Sequence, residues 1–522
     1  MHSIASRITA LSLILSSCMP LGCSHPLPSD APGGGTGGHA ATSTVASSTS
    51  AGTGGANLTG GAGGTGGTAG GIGAGTGGAD AGGAAPVTDL YVDPAAGADT
   101  NPGTHEAPFK TLSHALSVAT NGQSVHLASG TYQASGGESF PEEVPDGVTV
   151  DTAAAGDATL LGQQDPVGVH FAGSGTLRLV QIQGFTAAVQ AEAGAQTLDT
   201  LAFVDDGCAV SLTGAPDAPA YAQATLTDCT IAGGSSAFAL DGAASLTMTG
   251  GAIHDLGPAC QMGVAVGAAS GASSVTLDGV DVYTVGGPLA LGEAAQATIH
   301  ASSFANVGGG GCGSASIEVA GAASLSVDGT SVSNPPANAV FVQSSGATVA
   351  LTSTMIEATV FGINVEADAT VTLDGLTLSG PGGSTTTWGV YVSSPSAHVT
   401  LTNATVGGFY RGVAVAEGAL KVRGSTIGNG VSGVWFGGGS VDLGDSASDP
   451  GGNVLQANTV AALDIEPAAP ATVHAVGNTW LPNVQGADAT GRYAAGTTQG
   501  PLATNAPAPV NFRIVDASKV AH

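Results

Sequence analysis

Val371-Thr-Leu373, Val399-Thr-Leu401 and Leu420-Lys-Val422 write one short pattern three times, two apolar residues around a polar one. In each copy a further apolar residue stands five positions on, at Leu378, Val406 and Ile427. A glycine and a second alternating triplet follow: Gly389-Val-Tyr-Val392, Gly412-Val-Ala-Val415 and Gly433-Val-Trp-Phe436. A side-chain period of two marks a strand with one buried face. Strands of three or four residues bury too little to stand alone, so each unit must stack on its copy. Residues 371 to 436 therefore predict an all-β solenoid.

Outward from this stretch, the first apolar position of each ladder triplet falls at about 175, 196, 224, 246, 275, 297, 325, 349, 371, 399, 420 and 441. Spacings alternate between about 21–24 and 27–29 residues, and the longer coils carry their extra residues between the two triplets. Twelve coils at the inter-strand spacing make a rod about 55 Å long. Composition agrees: 85 glycines, 4% aromatic and 9% charged residues suit a narrow core of small aliphatics, against about 25% charged residues in ordinary domains.

The balance of 38 acidic against 9 basic residues, net −29, argues against nucleic acid as a partner, because phosphate binding needs clustered Lys and Arg. An acidic surface keeps the protein soluble.

Residues 1–23 read as an export signal, with Arg7 in the n-region and a short apolar run from Ile8 to Leu15, too short to span a bilayer. Leu15-Ser-Ser-Cys18 resembles the bacterial lipobox, which implies acylation at Cys18; Pro20-Leu-Gly-Cys23 is a weaker second candidate. Met19 rather than an aspartate after Cys18 is similar to the pattern of lipoproteins sent to the outer membrane. Residues 24–88 are a Gly/Ala/Ser/Thr-rich tether that cannot offset its own ordering entropy. The region 89–150 supplies first strands and a short helix, with Leu112, Ala115, Leu116 and Ala119 at helical spacing and Thr111 as N-cap. Such a helix covers the first rung of an open-ended solenoid. Residues 151–470 form the coils, and 471–522 a closing cap and tail, with Asn511 to Val515 as a last strand.

The run Tyr91-Val-Asp-Pro, Asn101-Pro-Gly-Thr, Ala107-Pro-Phe-Lys-Thr, Gly130-Thr-Tyr, Phe140-Pro and Gly147-Val-Thr-Val resembles a domain of unknown function. That domain opens right-handed parallel β-helix proteins of the pectin-lyase-like class. The resemblance implies a single-stranded right-handed parallel β-helix with a short N-terminal capping helix. It is not specific for activity.

Chemistry has few places to reside. The position between the apolar pair repeats as Thr225, Thr247, Thr276, Thr298, Ser326, Thr372 and Thr400, which strand propensity explains. The next outward column reads Asp278, His300, Asp328, Thr352, Asp374, Thr402, Arg423. A histidine flanked by carboxylates is favoured in its charged form, so Asp278, His300 and Asp328 are the catalytic candidates, weighed against a surface ladder that keeps acids apart. The outward column of the second triplet holds Asn364, Tyr391, Ala414 and Trp435, with Trp388 and Arg411 just before. Tyr391, Arg411 and Trp435 have the composition of an exposed sugar-stacking platform, or of simple packing. The coils hold only Arg178, Arg411, Lys421 and Arg423 as strong cations, which counts against uronate lyase chemistry. No metal-spaced Cys/His cluster, phosphate loop or nucleophile elbow is present, so no metal and no cofactor are expected.

Four cysteines remain beyond the signal, and export allows them to oxidise. Cys260 and Cys312 sit in long connections either side of a short coil, which predicts a disulfide closing a loop of about 50 residues. Cys208 and Cys229 lie in adjacent coils at non-equivalent positions. The sequence thus reads as an exported, monomeric, lipid-anchored β-helix of the outer membrane or cell surface, non-catalytic, displaying loops for adhesion, envelope or glycan contact. The alternative is a polysaccharide-active lyase or glycoside hydrolase, which demands paired carboxylates or calcium ligands beside a base.

Overall fold

A computed structural model describes residues 89–214, 221–257, 264–266, 273–292, 294–308, 314–382, 386–446, 448–459, 461–465, 472–480, 499–501 and 511–515. Each coil contributes one strand to each of three parallel sheets, giving an all-β solenoid of about 13 turns. In the coil that opened the sequence reading, Thr370–Asp374 enters the first sheet, Thr377–Ser379 the second and Trp388–Val392 the third. The lone apolar residue between the triplets, Leu378, is the single buried residue of a three-residue strand.

Register follows the sequence arithmetic. Val371 lies level with Val399 and that with Leu420. Ile363, Val390, Val413 and Val434 form one interior column, each 0% exposed. The first sheet also extends upstream, since Leu90 pairs with Val125 and Val125 with Val150. The region read as cap and first strands thus adds its strands to the same sheet. Helix Leu112–Val118 packs Leu112, Ala115 and Leu116 inward, and the Thr111 side chain accepts from the His114 N–H as N-cap. At the other end, Asn511–Val515 does pair with Thr472–His474.

The glycine before the third-sheet triplet has a steric cause at Gly389. A Cβ on Gly389 would stand 2.4 Å from the Gly412 carbonyl and 2.6 Å from a Val406 methyl, so only glycine lets the wall turn there. The corner between the first and second sheets places one residue per coil in the left-handed region. Glycine fills it at Gly375 and Gly424, but Ala301 stands there at φ 46° and Leu179 at φ 65°, at an energetic cost.

The residue after that corner points inward and ties coils together. Ser302 Oγ accepts from Val280 N at 3.1 Å, Ser425 Oγ from Ala404 N at 3.1 Å, Asn453 Oδ1 from Ser425 N and Asn478 Oδ1 from Asn453 N, both at 3.0 Å. Cys229 occupies the equivalent place and donates to the Leu198 carbonyl at 3.3 Å. Burial pushes its thiol up to about 11. Cys208 is likewise buried, at the start of third-sheet strand Cys208–Gly214. Cys18, Cys23, Cys260 and Cys312 lie outside the described residues. Among the described residues, no helix is long and apolar enough to cross a membrane.

Candidate functional site

The outer faces of the first and third sheets gather every candidate side chain. On the first, alternation in strand Ser274–Asp278 turns Thr276 and Asp278 outward, and parallel pairing repeats them coil after coil. Asp278, His300, Asp328, Thr352, Asp374, Thr402 and Arg423 do form one unbroken column. His300 Nδ1 lies 2.7 Å from Asp278 Oδ1, and Nε2 lies 3.7 Å from Asp328 Oδ2. The hydrogen bond to Asp278, helped by both carboxylate charges, raises the His300 pKa. Asp374 accepts from Thr402 Oγ1 at 2.5 Å and Asn403 Nδ2 at 2.8 Å, and those bonds lower its pKa.

The same grammar appears at the start of the sheet, where His126 stands 2.6 Å from Asp151 and 3.4 Å from Asp89. Burial works against the charged form of His126, but the two carboxylates outweigh it and the pKa rises. Arg178 bonds Asp199 at 2.9 Å. Near the C-terminal end Arg423 reaches Asp442 at 2.7 Å and Asp449 at 2.8 Å, while Lys421 reaches Asp449 at 2.9 Å. Arg423 and then Lys421 hold the Asp449 pKa far below the usual carboxylate range. In-register strands stand only about 4.8 Å apart, and the column interposes a cation or a threonine between successive acids. His300 and its partners are half exposed, and each is satisfied by its neighbours in the column. The geometry is that of a complementary-charge ladder.

The third sheet is different. Its outward positions in successive coils run Phe341, Asn364, Tyr391, Ala414, Trp435 and Asp464 in one column. A parallel column runs Asn338, Phe361, Trp388, Arg411 and Ser432. Phe361 and Trp388 stack at 4.7 Å with 12° between planes, and Tyr391 leans on both at 5.7 and 5.9 Å. These rings are partly buried. Tyr391, Arg411 and Trp435, which the sequence left as either a sugar-stacking platform or packing, share this face. Trp435 is 8% exposed, with the Arg411 guanidinium 3.9 Å over its ring. Burial raises the Tyr391 hydroxyl pKa, with Glu366 and Glu417 adding to the effect and Arg411 opposing it.

Two features of this face escaped the sequence. Phe341 and Phe361 extend the aromatic surface by two coils toward the N-terminus, which aligning the outward positions upstream of Trp388 reveals. Asn338 and Asn364 are buried at 4% and 3% exposure, although asparagine at an outward position ordinarily reads as solvated. Asn338 Nδ2 donates to the Ser314 carbonyl at 2.8 Å and Asn364 Nδ2 to Glu366 Oε1 at 3.0 Å.

A second acidic constellation lies in the N-terminal cap. Leu112 N and Ser113 N donate to the two oxygens of Glu138 at 3.1 and 3.0 Å. Ser113 Oγ stands 3.0 Å from Glu138 Oε2 and 2.8 Å from Glu142 Oε1. One hydroxyl has one proton, so one of the two carboxyls must bring its own. Burial, followed by the Glu138 charge, pushes Glu142 up to about 9, which makes it the protonated partner. Ser113 Oγ also accepts from the Ser139 N–H, and Glu142 is 1% exposed. The group holds the capping helix to the first third-sheet strand, Glu142–Val144.

No curated protein matches the chain. Solved structures that resemble it include a complex of XylC with xylose, at 9% identity and TM-score 0.35 over 65% of this chain and 75% of that one. Others are the pectate lyase Pel9A, at 14% identity and TM-score 0.36 over 61% and 79%, and a mannuronic-acid-specific family 6 polysaccharide lyase from human gut microbiota, at 11% identity and TM-score 0.35 over 72% and 84%. At these identities and scores none of them bears on the chemistry of this chain. A family model described as "Protein of unknown function (DUF1565)" matches residues 95–203 and 289–484, more than half of the 522 residues. With the two matched segments together covering more than half of its length, the chain belongs to the DUF1565 family.

Proposed function

We propose that the chain is a non-catalytic glycan-binding protein of the cell surface, held to a membrane by a lipid on Cys18, and that the outer face of its third sheet receives the glycan. The contiguous surface of Phe361, Trp388 and Tyr391, flanked by Phe341, Arg411 and Trp435, carries this reading. Flat rings bury the apolar faces of sugars while nearby polar groups take their hydroxyls. Against turnover of uronate chains stands the engagement of the coil cations: Arg178, Lys421 and Arg423 are in ion pairs and Arg411 rests on Trp435.

The test is affinity electrophoresis of the purified coil-bearing protein through gels containing glucan, mannan, polygalacturonate or alginate. Retention by at least one gel, weakened about tenfold or more by Trp388→Ala, is the expected outcome, a loss of about 1.4 kcal/mol. Equal retention of wild type and Trp388→Ala would remove the aromatic face from the account. Product release from any of these polymers would overturn the non-catalytic part. For the anchor, detergent-phase partitioning should be lost in Cys18→Ser and kept in Cys23→Ser; the reverse pattern moves the lipid to Cys23.

A further inference from the structure

The third-sheet face holds four shielded polar atoms that have no hydrogen-bond partner among the described residues: Asn338 Oδ1, Asn364 Oδ1, Trp388 Nε1 and Trp435 Nε1. Buried polar atoms are almost always paired, because leaving one without a partner forfeits its hydration for nothing in return. Elsewhere on the solenoid, the first-sheet column and the corner residues show how completely this chain can satisfy such groups. Single exceptions occur elsewhere, at Glu142, Thr152, Gln196 and Asp206, but four gathered on one aromatic face are a concentration that packing alone does not explain.

Their chemistry specifies a complement. Two are carbonyl oxygens that need donors, and two are indole N–H groups that need acceptors. An alkyl chain supplies neither, and a bare phosphate or sulfate supplies acceptors only. A hydroxyl supplies both. Charge narrows the ligand further. Glu366 Oε1 is bound to Asn364 Nδ2 at 3.0 Å, and Glu417 follows the strand of Arg411. A carboxylate-bearing chain would set its charges against these acids on a protein of net charge −29.

Resting on the glycan-binding reading, we infer that the ligand is an uncharged polyhydroxy chain lying along the solenoid axis, across the coils from Asn338 to Ser432, with its hydroxyls completing Asn338, Asn364, Trp388 and Trp435. The strands from Asn338 to Ser432 are successive neighbours, so the contact spans four strand spacings, about 19 Å. All four atoms are shielded in the free protein, so the ligand reaches them only as neighbouring side chains move aside, the Arg411 guanidinium over the Trp435 ring among them.

Three proteins decide it in the same gels: wild type, Trp388→Ala and Trp388→Phe. Trp388→Phe keeps a ring for stacking and removes only the N–H. Wild type should be held by neutral glucan or mannan, with little response to added salt, and pass freely through polygalacturonate and alginate. Trp388→Phe should weaken the neutral interaction about fivefold, the worth of one hydrogen bond, and Trp388→Ala more. Preference for polygalacturonate or alginate, or Trp388→Phe equal to wild type, overturns the uncharged-ligand inference and leaves glycan binding standing. Passage of wild type through every gel overturns glycan binding itself.

Discussion

The outer faces of the first and third sheets are built from the same coils at the same spacing, yet they handle polar groups in opposite ways. On the first, Asp278, His300 and Asp328 satisfy one another rung by rung, as do Asp374 and Thr402. On the third, rings from successive coils lie against one another while Asn338, Asn364, Trp388 and Trp435 each keep a shielded polar atom with no hydrogen-bond partner among the described residues. A parallel stack repeats each outward position about every 4.8 Å, so complementary side chains in neighbouring coils can always be matched. The first face uses that freedom along its length; the third uses it at Glu143 and His170 and at Ser432 and Asp464, but not across its aromatic stretch. That difference is what the proposed glycan contact rests on.

Both faces hang on the same inner wall, and the largest effect is expected there. Val413→Asp puts a charge between Val390 and Val434 and should cost about 3–5 kcal/mol or unfold the neighbouring coils. A denaturation midpoint equal to wild type would mean the wall tolerates a charge and that neither face is rigidly placed.

The next effect concerns the acid at the start of the third sheet. Glu142 is raised to about 9 from 4.5, so between those values the folded state holds a proton the unfolded state has released. Stability must therefore fall as pH rises from about 4.5 and level off above about 9. Glu142→Gln should flatten that slope, most visibly in amide exchange of Leu112–Val118 at pH 8 to 9. A slope of equal size in the variant would reassign the proton.

Ala301→Gly should stabilise by about 1 kcal/mol by relieving a left-handed corner, read as a higher melting temperature. A neutral result would show that the corner relaxes without cost.

The smallest effect sharpens the contrast directly. His300→Asp would set carboxylates in three successive coils and should lower the melting temperature, more so at low salt, while His300→Thr should be close to neutral. Wild type itself should lose the ladder's contribution as pH rises through the elevated His300 pKa, because the charged form is the one Asp278 and Asp328 favour. If His300→Asp proves silent at low salt, the first face is not a charge ladder.

How far the sequence reached follows from what repetition encodes. Coil starts and columns were legible because one repeated triplet fixes side-chain direction, and errors do not accumulate when every coil restates the pattern. The second-sheet strands were read only as lone apolar residues, since three residues with one buried side chain display no alternation. The engagement of Trp435 by Arg411 was hidden because it joins different columns one coil apart. Glu138 and Glu142 were missed because their meeting with Ser113 depends on a loop's return to a helix, which no local spacing announces. The anchor rests on the lipobox resemblance and the expected Cys260–Cys312 bridge on spacing, and both fall outside the described residues.

The corner ladder between the first two sheets also gives the fold a direction in time. Val280 offers its amide to Ser302, Ser425 to Asn453, and Asn453 to Asn478, so each coil's donor waits for an acceptor from the coil that follows. Because a ribosome releases the N-terminal end first, the capped end can assemble while the rest is still being made. Every later coil then arrives at an edge already holding out an unclaimed amide. A chain stalled partway in that order would stop with a sticky end rather than a closed one.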